Sequence, residues 1–393
     1  MRSNYKKLGS YIRPVDERNS DGSLGEDNLY GISVTKDFIV THANLVGVTF
    51  DSYKVVAPRQ FAYIPDTSRR GDKIAISLNT TGEKIIVSSI CTVFEISDEE
   101  QLLPEYLMLW FMRPEFDRYA RFMSNGSARE VFDWDCMCGV ELPVPPLPEQ
   151  QKIVRDYQVI TDRIVLLRQV NEKLEEAEQT ILLKTFSMEE TIMTPLGDIA
   201  DFIDGDRGKN YPTFDEFYEE GYCLFLSAAN VTSTGFDLEN CVFVTEEKDK
   251  AMNKGHLCRY DIVLTSRGTL GNVAFYDGHV PYENVRINSG MLILRPKRRD
   301  ISPYFLYALL KSDYMRIEIE KFKSGSAQPQ LPIRDLQKVS FPIPVDGQDL
   351  VSLSANLCVT QEAISLYTNE IDTLKRAQRS VLTKMSTLRA KGA

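Results

Sequence analysis

The stretch PPLPEQQKIVRDYQVITDRIVLLRQVNEKLEEAEQTILL (145–183) opens on prolines and then runs on with no glycine and no further proline after Pro148. From Ile153, steps of four and three reach Tyr157, Ile160, Ile164, Leu167, Asn171, Leu174, Glu178 and Ile181. A spacing of about 3.5 held over four heptads marks a coiled-coil seam rather than a helix lying on a globule. The pattern returns 200 residues later at Leu353, Leu357, Thr360, Ile364, Tyr367, Ile371, Leu374, Gln378 and Val381, continuing to Met385 and Leu388. Each helix is expected to hold roughly 35 residues over about 50 Å. Two such helices in one chain pack most naturally antiparallel. Their polar seam positions, among them Asn171, Glu178, Thr360 and Gln378, suit the fixing of register.

Ahead of each helix stands a proline run, LPVPPLPEQQ (142–151) and FPIPVDGQD (341–349). Proline's fixed φ makes a stiff connector and tolerates the first helical turn. Glu149 and Asp349 fall near the helix starts, where the dipole favours acids.

Duplication extends to the rest of the chain. Pro104, Tyr106, Leu107, Gly126, Ser127, Ala128, Val140, Pro143 and Pro145 have counterparts 199 residues on, at Pro303, Phe305, Leu306, Gly325, Ser326, Ala327, Val339, Pro342 and Pro344. Leu8-Gly9 matches Leu196-Gly197 at 188. Between these blocks, Asp72, Ile74, Ser77, Thr80 and Gly82 match Asp261, Val263, Ser266, Thr269 and Gly271 at 189. That offset predicts about ten extra residues near DGHVPYENVR (277–286) in the second half. Strands are expected at 38–50, 54–64, 73–78 and 84–96, then at 223–231, 241–245, 261–266, 272–276 and 288–296. A single helix is expected at 104–123 and another at 303–322.

The fold class is therefore α+β: two tandem mixed α/β domains, each followed by a long helix, the helices pairing as an antiparallel coiled coil with pseudo-two-fold symmetry. The divisions are 1–145, a first domain; 146–188, connector and central helix; 189–344, a second domain; and 345–393, connector and C-terminal helix.

Composition is that of a globular protein, with 43% hydrophobic and 26% charged residues. No apolar run is long enough for a membrane span and the start carries no secretory signal, so a cytoplasmic location is expected. Seven scattered cysteines lack zinc-ligand spacing and read as buried thiols, and no metal site is expected. The net charge of −10 excludes a uniformly basic nucleic-acid surface and leaves only local patches. Catalytic signatures are missing. There is no N/D-P-P-aromatic tetrapeptide, no glycine-rich S-adenosylmethionine loop and no nuclease Glu-x-Lys after a carboxylate pair. Three histidines form no acyl-transfer arrangement.

The leading LG of each half, the strand followed by S-x-x-T-x-G, the P-x-Y-L-type helix, the GSA step, the PxP exit and PPLPEQQKIV (145–154) together resemble the specificity subunits of Type I restriction-modification enzymes. The likeness covers essentially the whole chain. The second half departs from it, with IPVDGQDLV (343–351) in place of PPLPEQQKIV. The resemblance implies a non-catalytic chain that binds double-stranded DNA, each head reading one part of a split target while the paired helices set the gap. It implies two methyltransferase (modification) subunits, which would use S-adenosylmethionine on adenine, and translocase-nuclease (restriction) subunits as partners. No cofactor is expected in this chain itself. A coiled-coil scaffold without DNA, and an orphan subunit borrowing another system's methyltransferase, are the alternative readings.

Base readout needs donors and acceptors at groove edges, with cations and amides on phosphates. The loops SLNTTG (77–82) and SRGTLG (266–271) offer Ser77, Asn79, Thr80, Ser266, Arg267 and Thr269; the bland reading is a pair of hairpin turns. Arg69, Arg70 and Lys73 form a basic cluster that is otherwise a solvated turn. GDRGKNY (205–211) offers Arg207, Lys209 and Asn210 on a glycine loop without Walker spacing. SNGSARE (124–130) and SGSAQPQ (324–330) offer Ser127, Arg129, Ser326 and Gln328, at what is otherwise a helix stop.

Overall fold

The computed structural model describes residues 5–41, 47–67, 73–124, 130–323 and 330–387. Two compact units emerge, one made of Met1–Val165 with Thr373–Ala393, the other of Leu166–Asp372. Each unit is thus one globular head together with a stretch of both long helices, so the spatial division cuts each helix midway rather than at its ends.

In the first unit an antiparallel four-stranded sheet has the order Ile12–Val15, Thr92–Ile96, Phe61–Tyr63, Ile76–Leu78. Helices Pro104–Phe111 and Pro114–Met123 lie against it. The expected single helix breaks at Pro114, which has no amide to continue the first helix and instead starts the second. The core gathers Phe61, Tyr63, Phe94, Tyr106, Phe111 and Phe132, all at 0% exposure. Burying a large aromatic side chain stabilises by about 1.5–3 kcal/mol, so this cluster dominates the head. A smaller layer holds the strand pairs Tyr30–Ile32 with Phe38–Val40 and Lys54–Val56 with Ile85–Val87. The expected strands 54–64 and 84–96 are therefore each two strands, because Ala57–Gln60 and Ser88–Cys91 form turns. The N-terminal strand Tyr5–Lys7 pairs with Glu141–Pro143. Leu382 and Met385 from the C-terminal helix enter the same core, with Ile153, Val154 and Tyr157 from the central helix packed on it.

The second unit repeats this plan. Its sheet order is Ala200–Asp204, Met291–Pro296, Ile262–Thr265, Val273–Phe275, and its helices are Pro303–Lys311 and Asp313–Lys323. Thr191–Pro195 pairs with Ser340–Pro344. Cys223–Leu226 lies between Phe243–Val244 and, in parallel, Val285–Ile287. Leu182 from the central helix and Leu350, Leu353 and Leu357 from the C-terminal helix complete its core.

The long helices run Leu147–Phe186 and Gly347–Met385, 40 and 39 residues. Within the first unit Gln378 Nε2 donates to Thr161 Oγ1 at 2.8 Å, and within the second Asn171 Nδ2 donates to Thr368 Oγ1 at 3.3 Å. A step from Thr161 to Asn171 on one helix matches a step from Gln378 back to Thr368 on the other, which is antiparallel pairing. Every expected seam residue from Ile153 to Ile181 is buried or half-buried.

The strand registers correct the expected correspondence between the heads. Phe61 faces Phe94 as Ile262 faces Leu294, and Phe61 faces Leu78 as Ile262 faces Phe275. Phe61–Tyr63 therefore corresponds to Ile262–Leu264 at an offset of 201, and Ile76–Leu78 to Val273–Phe275 at 197. The match at 189 paired the wrong strands. SLNTTG is not the partner of SRGTLG; the partner of SRGTLG is the connection between Tyr63 and Ile76. Most of the second head's extra length lies between Asp204 and Ile262, where the offset rises from 188 to 201, and only three residues of it fall between Phe275 and Leu292. Of the cysteines expected to be buried, Cys91 and Cys223 are, whereas Cys258 is exposed.

Candidate nucleic-acid interface

In the second head the hairpin tip is built by the strand that enters it. Thr265, at 0% exposure, donates through Oγ1 to Thr269 O and accepts from Asn272 N at 2.9 Å. Gly271 completes the turn at φ +86°. Ser266 N and Arg267 N both donate to Gly290 O, at 2.9 and 3.1 Å, and Arg267 forms a β-bridge with Gln330. Leu331 N donates to Ser266 O at 3.0 Å. Arg207 Nη2 donates to Ser289 O at 3.3 Å and to Asp204 Oδ1 at 3.2 Å. Gly205 makes that approach possible, since a Cβ there would stand 2.1 Å from Asn288 O. Four stretches distant in sequence thus meet at one end of the sheet: 204–208, 266–271, 288–290 and 330–331.

The first head repeats the junction. Asp66 forms a β-bridge with Val131, and Phe132 N donates to Pro65 O at 2.9 Å. Thr67 N donates to Glu130 O at 3.0 Å, while Thr67 Oγ1 donates to Ser124 Oγ at 2.9 Å. Asp66 and Arg267 are equivalent positions, as are Val131 and Gln330. The residues that flank the hairpin tip and the post-helix loop are therefore bonded to each other in both heads.

Of the sequence candidates, Arg267, Thr269, Arg207, Lys209, Thr80 and Lys73 are exposed. Arg207, Arg267 and Thr269 sit at the junction in the second head, and Lys209 follows on the Arg207 loop. Asn210 lies on that loop too, but its amide donates to Ala251 O at 2.7 Å. Ser266 is buried, with Oγ donating to Gly290 O, so it fastens the loop. Ser77 is buried inside the strand Ile76–Leu78.

Asn79 is 1% exposed and spends its amide on the chain around it. It donates to Val56 O at 2.9 Å and Glu83 O at 2.8 Å, and its Oδ1 accepts from Thr81 N and Thr81 Oγ1. Asn79 and Ser266 thus hold loops in place rather than project from them, Ser77 points into the interior from its strand, and 77–82 follows the far end of that strand from the tip. Arg69, Arg70, Ser127, Arg129, Ser326 and Gln328 lie outside the described residues.

One buried pair at the base of the first tip was not foreseen. Lys36 Nζ stands 2.6 Å from Asp117 Oδ1, with side chains 5% and 12% exposed, and Ile74 N donates to the same oxygen at 3.3 Å. Burial pulls the Lys36 ammonium below its ordinary range, and the Asp117 carboxylate works against that shift. Among the described residues no group of three or more His, Cys, Asp or Glu is placed to hold a metal, and no helix is long and apolar enough to cross a membrane.

Comparison with known proteins agrees with this plan. The family model described as the Type I restriction modification DNA specificity domain matches twice, at residues 68–176 and 188–364. The chain is similar to the Type I restriction enzyme MjaVIII specificity subunit of Methanocaldococcus jannaschii, 21% identical over 329 residues, which are 78% of this chain and 74% of that one. It is also similar to the MjaIX specificity subunit of the same organism, 22% identical over 266 residues, covering 63% and 60%. In fold it is similar to the crystal structure of the Type-I restriction-modification S subunit from M. genitalium, with a TM-score of 0.61 and 16% identity over 98% of this chain and 96% of that one.

Proposed function

The chain belongs to the family of Type I restriction-modification DNA specificity domains, and we propose that it reads a split DNA target, one part with each head. The observation that carries this reading is the junction of hairpin tip and post-helix loop, built in the same way in both heads from different side chains. Equivalent scaffolds with unlike residues at their tips, Asp66 against Arg267, suit two readers of two sequences. The acidic balance of the chain confines phosphate contacts to such tips, where Arg267, Arg207 and Lys209 in the second head supply cations.

On this reading the chain is non-catalytic. Two methyltransferase subunits, which hold S-adenosylmethionine, modify adenine in the target, and translocase-nuclease subunits join them for restriction. The antiparallel helices set the gap between the two parts of the target. Exposed Val159 and Val359, 200 residues apart on the two helices, are apolar positions open to the methyltransferase copies.

The test is methylome sequencing of a host strain with and without this gene and its partner methyltransferase. The expected result is a two-part adenine motif that depends on the chain. Arg267→Ala is expected to relax one part alone, by about 1–3 kcal/mol of discrimination at one base pair. A motif without a gap, or a variant that weakens both parts equally, overturns the assignment. Inserting one heptad into both helices should lengthen the gap and leave both parts intact.

A further inference from the structure

The duplication makes each head a control for the other, and a cavity in the first head is one place where they differ. It holds about 560 Å³ and lies among the two head helices, the strand at Glu141, Tyr5 and Ser386 at the end of the C-terminal helix. Its walls are aromatic. Trp110 and Phe116 are 6% and 3% exposed, and Tyr5 packs edge-on to Trp110 with ring centroids 5.9 Å apart. The buried Arg113 guanidinium lies over the Trp110 ring at 4.1 Å and forms a further wall. Glu115 and Glu141 line the cavity and are exposed, which puts carboxylates at its mouth; Glu115 also makes loose ion pairs with Arg113 at 3.4 Å and Arg118 at 3.5 Å, which an incoming cation has to share or displace.

The second head closes the same place with its own side chains. The offset of 199 that equates the head helices puts Tyr314 where the first head has Glu115. The offset of 200 between the long helices puts Phe186 where the first head has Ser386. Phe186 and Tyr314 meet edge-on at 5.8 Å, and Tyr314 continues onto Phe341 at 5.4 Å. Neighbouring positions confirm the correspondence: Phe116 and Met315, Ala120 and Ile319, and Leu382 and Leu182 are all buried. At these two positions the first head carries a serine and a glutamate, and its cavity is walled by Trp110 and Phe116 where the second head has the buried Leu309 and Met315.

We propose that this cavity docks an aromatic side chain of a partner polypeptide that carries a cationic residue beside it. The ring takes the place that Phe186 and Tyr314 fill in the second head, against Trp110 and Phe116. Glu115 and Glu141 meet the neighbouring cation. The docking is independent of DNA reading and distinguishes the two heads for a partner that would otherwise see a near-symmetric chain.

The test uses the full chain with Trp134→Phe, which leaves Trp110 as its only tryptophan. Acetyl-Phe-Arg-amide is expected to shift Trp110 emission saturably, and to bind about tenfold more tightly than acetyl-Ala-Arg-amide. Building the second head's plug into the first, Glu115→Tyr with Ser386→Phe, is expected to abolish the response and raise Tm. Should that double variant fail to fold, Glu115→Gln keeps the cavity open. It should weaken the Phe-Arg probe several-fold at low salt and leave acetyl-Phe-amide unchanged. No saturable response, a response that survives the plug, or equal loss of both probes with Glu115→Gln overturns the proposal. Benzyl alcohol binding as tightly as the dipeptide also overturns it, because the cavity would then be one for small molecules.

Discussion

Arg59 and Tyr260 occupy the same turn of two different heads, 201 residues apart, with φ of 68° and 72°. Arg59 N donates to Asn79 O at 2.8 Å, and Tyr260 N to Tyr276 O at 2.7 Å. The left-handed region costs a non-glycine residue about 1–2 kcal/mol, which the paired hairpin holds in place. The Arg59 side chain reaches Glu99 and Glu105 in exposed ion pairs that contribute little. Arg59→Gly should therefore keep the stability of the chain within about 1 kcal/mol, whereas Arg59→Val should lose on the order of 1–2 kcal/mol. Urea unfolding of both variants decides it. A valine variant as stable as the glycine variant contradicts strain at this turn.

That pair also shows where sequence reading ran out. The seam from Ile153 to Ile181 was legible because a 3.5 period has few other causes. The block from Pro104 to Pro145 was legible because helices and exit strand pack against one core, with no change of length. The strands between were misaligned because Ile74–Ser77 and Val263–Ser266 share an apolar run ending in serine, and sequence similarity cannot see which strand bonds to Thr92–Ile96. The tip of the first head has 12 residues between Tyr63 and Ile76, while that of the second has eight between Leu264 and Val273. This difference hid the equivalence of Asp66 and Arg267 at the base of the two tips. Arg207 was legible as a loop cation, but its meeting with Ser289 depends on Gly205 packing against Asn288, a contact across more than 80 residues.

Asn79 separates a loop organiser from a base reader. Its amide makes four hydrogen bonds inside a buried turn, so Asn79→Ala should cost about 1–3 kcal/mol by leaving Val56 O and Glu83 O without their donor. The methylated motif should stay as it is. Thermal unfolding with methylome sequencing reads both quantities, and a changed base preference at unchanged stability sinks the turn assignment.

Lys36 and Asp117 form a buried ion pair, so removing one partner strands the other. Lys36→Met should destabilise the chain by about 3–5 kcal/mol, and Lys36→Met with Asp117→Leu should recover much of that loss. Asp117 also accepts from Ile74 N, directly after the first hairpin tip. The double variant should therefore fold yet loosen readout by the first head alone. Equal, additive losses in a double-mutant cycle would show that the pair does not act as a unit.

Glu178 makes stability depend on pH through the helix seam of the second unit. It is 3% exposed, and its carboxyl is pushed up to about 7, chiefly by burial and further by Glu175, against the opposing pull of Lys311. Lys311 Nζ itself pairs with Glu175 at 2.9 Å and lies over the Tyr307 ring, so little of its charge is aimed at Glu178 alone. A carboxyl whose folded pKa is raised binds its proton more tightly when folded. Its contribution is complete below the ordinary glutamate range and is lost as pH rises through about 7. The loss is on the order of 3 kcal/mol. Glu178→Gln mimics the protonated form at every pH and removes this slope. Wild-type and variant chains should thus unfold at similar urea concentrations at pH 5 and diverge towards pH 8, with the variant the more stable. Curves that stay parallel from pH 5 to pH 8 would mean that Glu178 is ionised in the folded seam throughout.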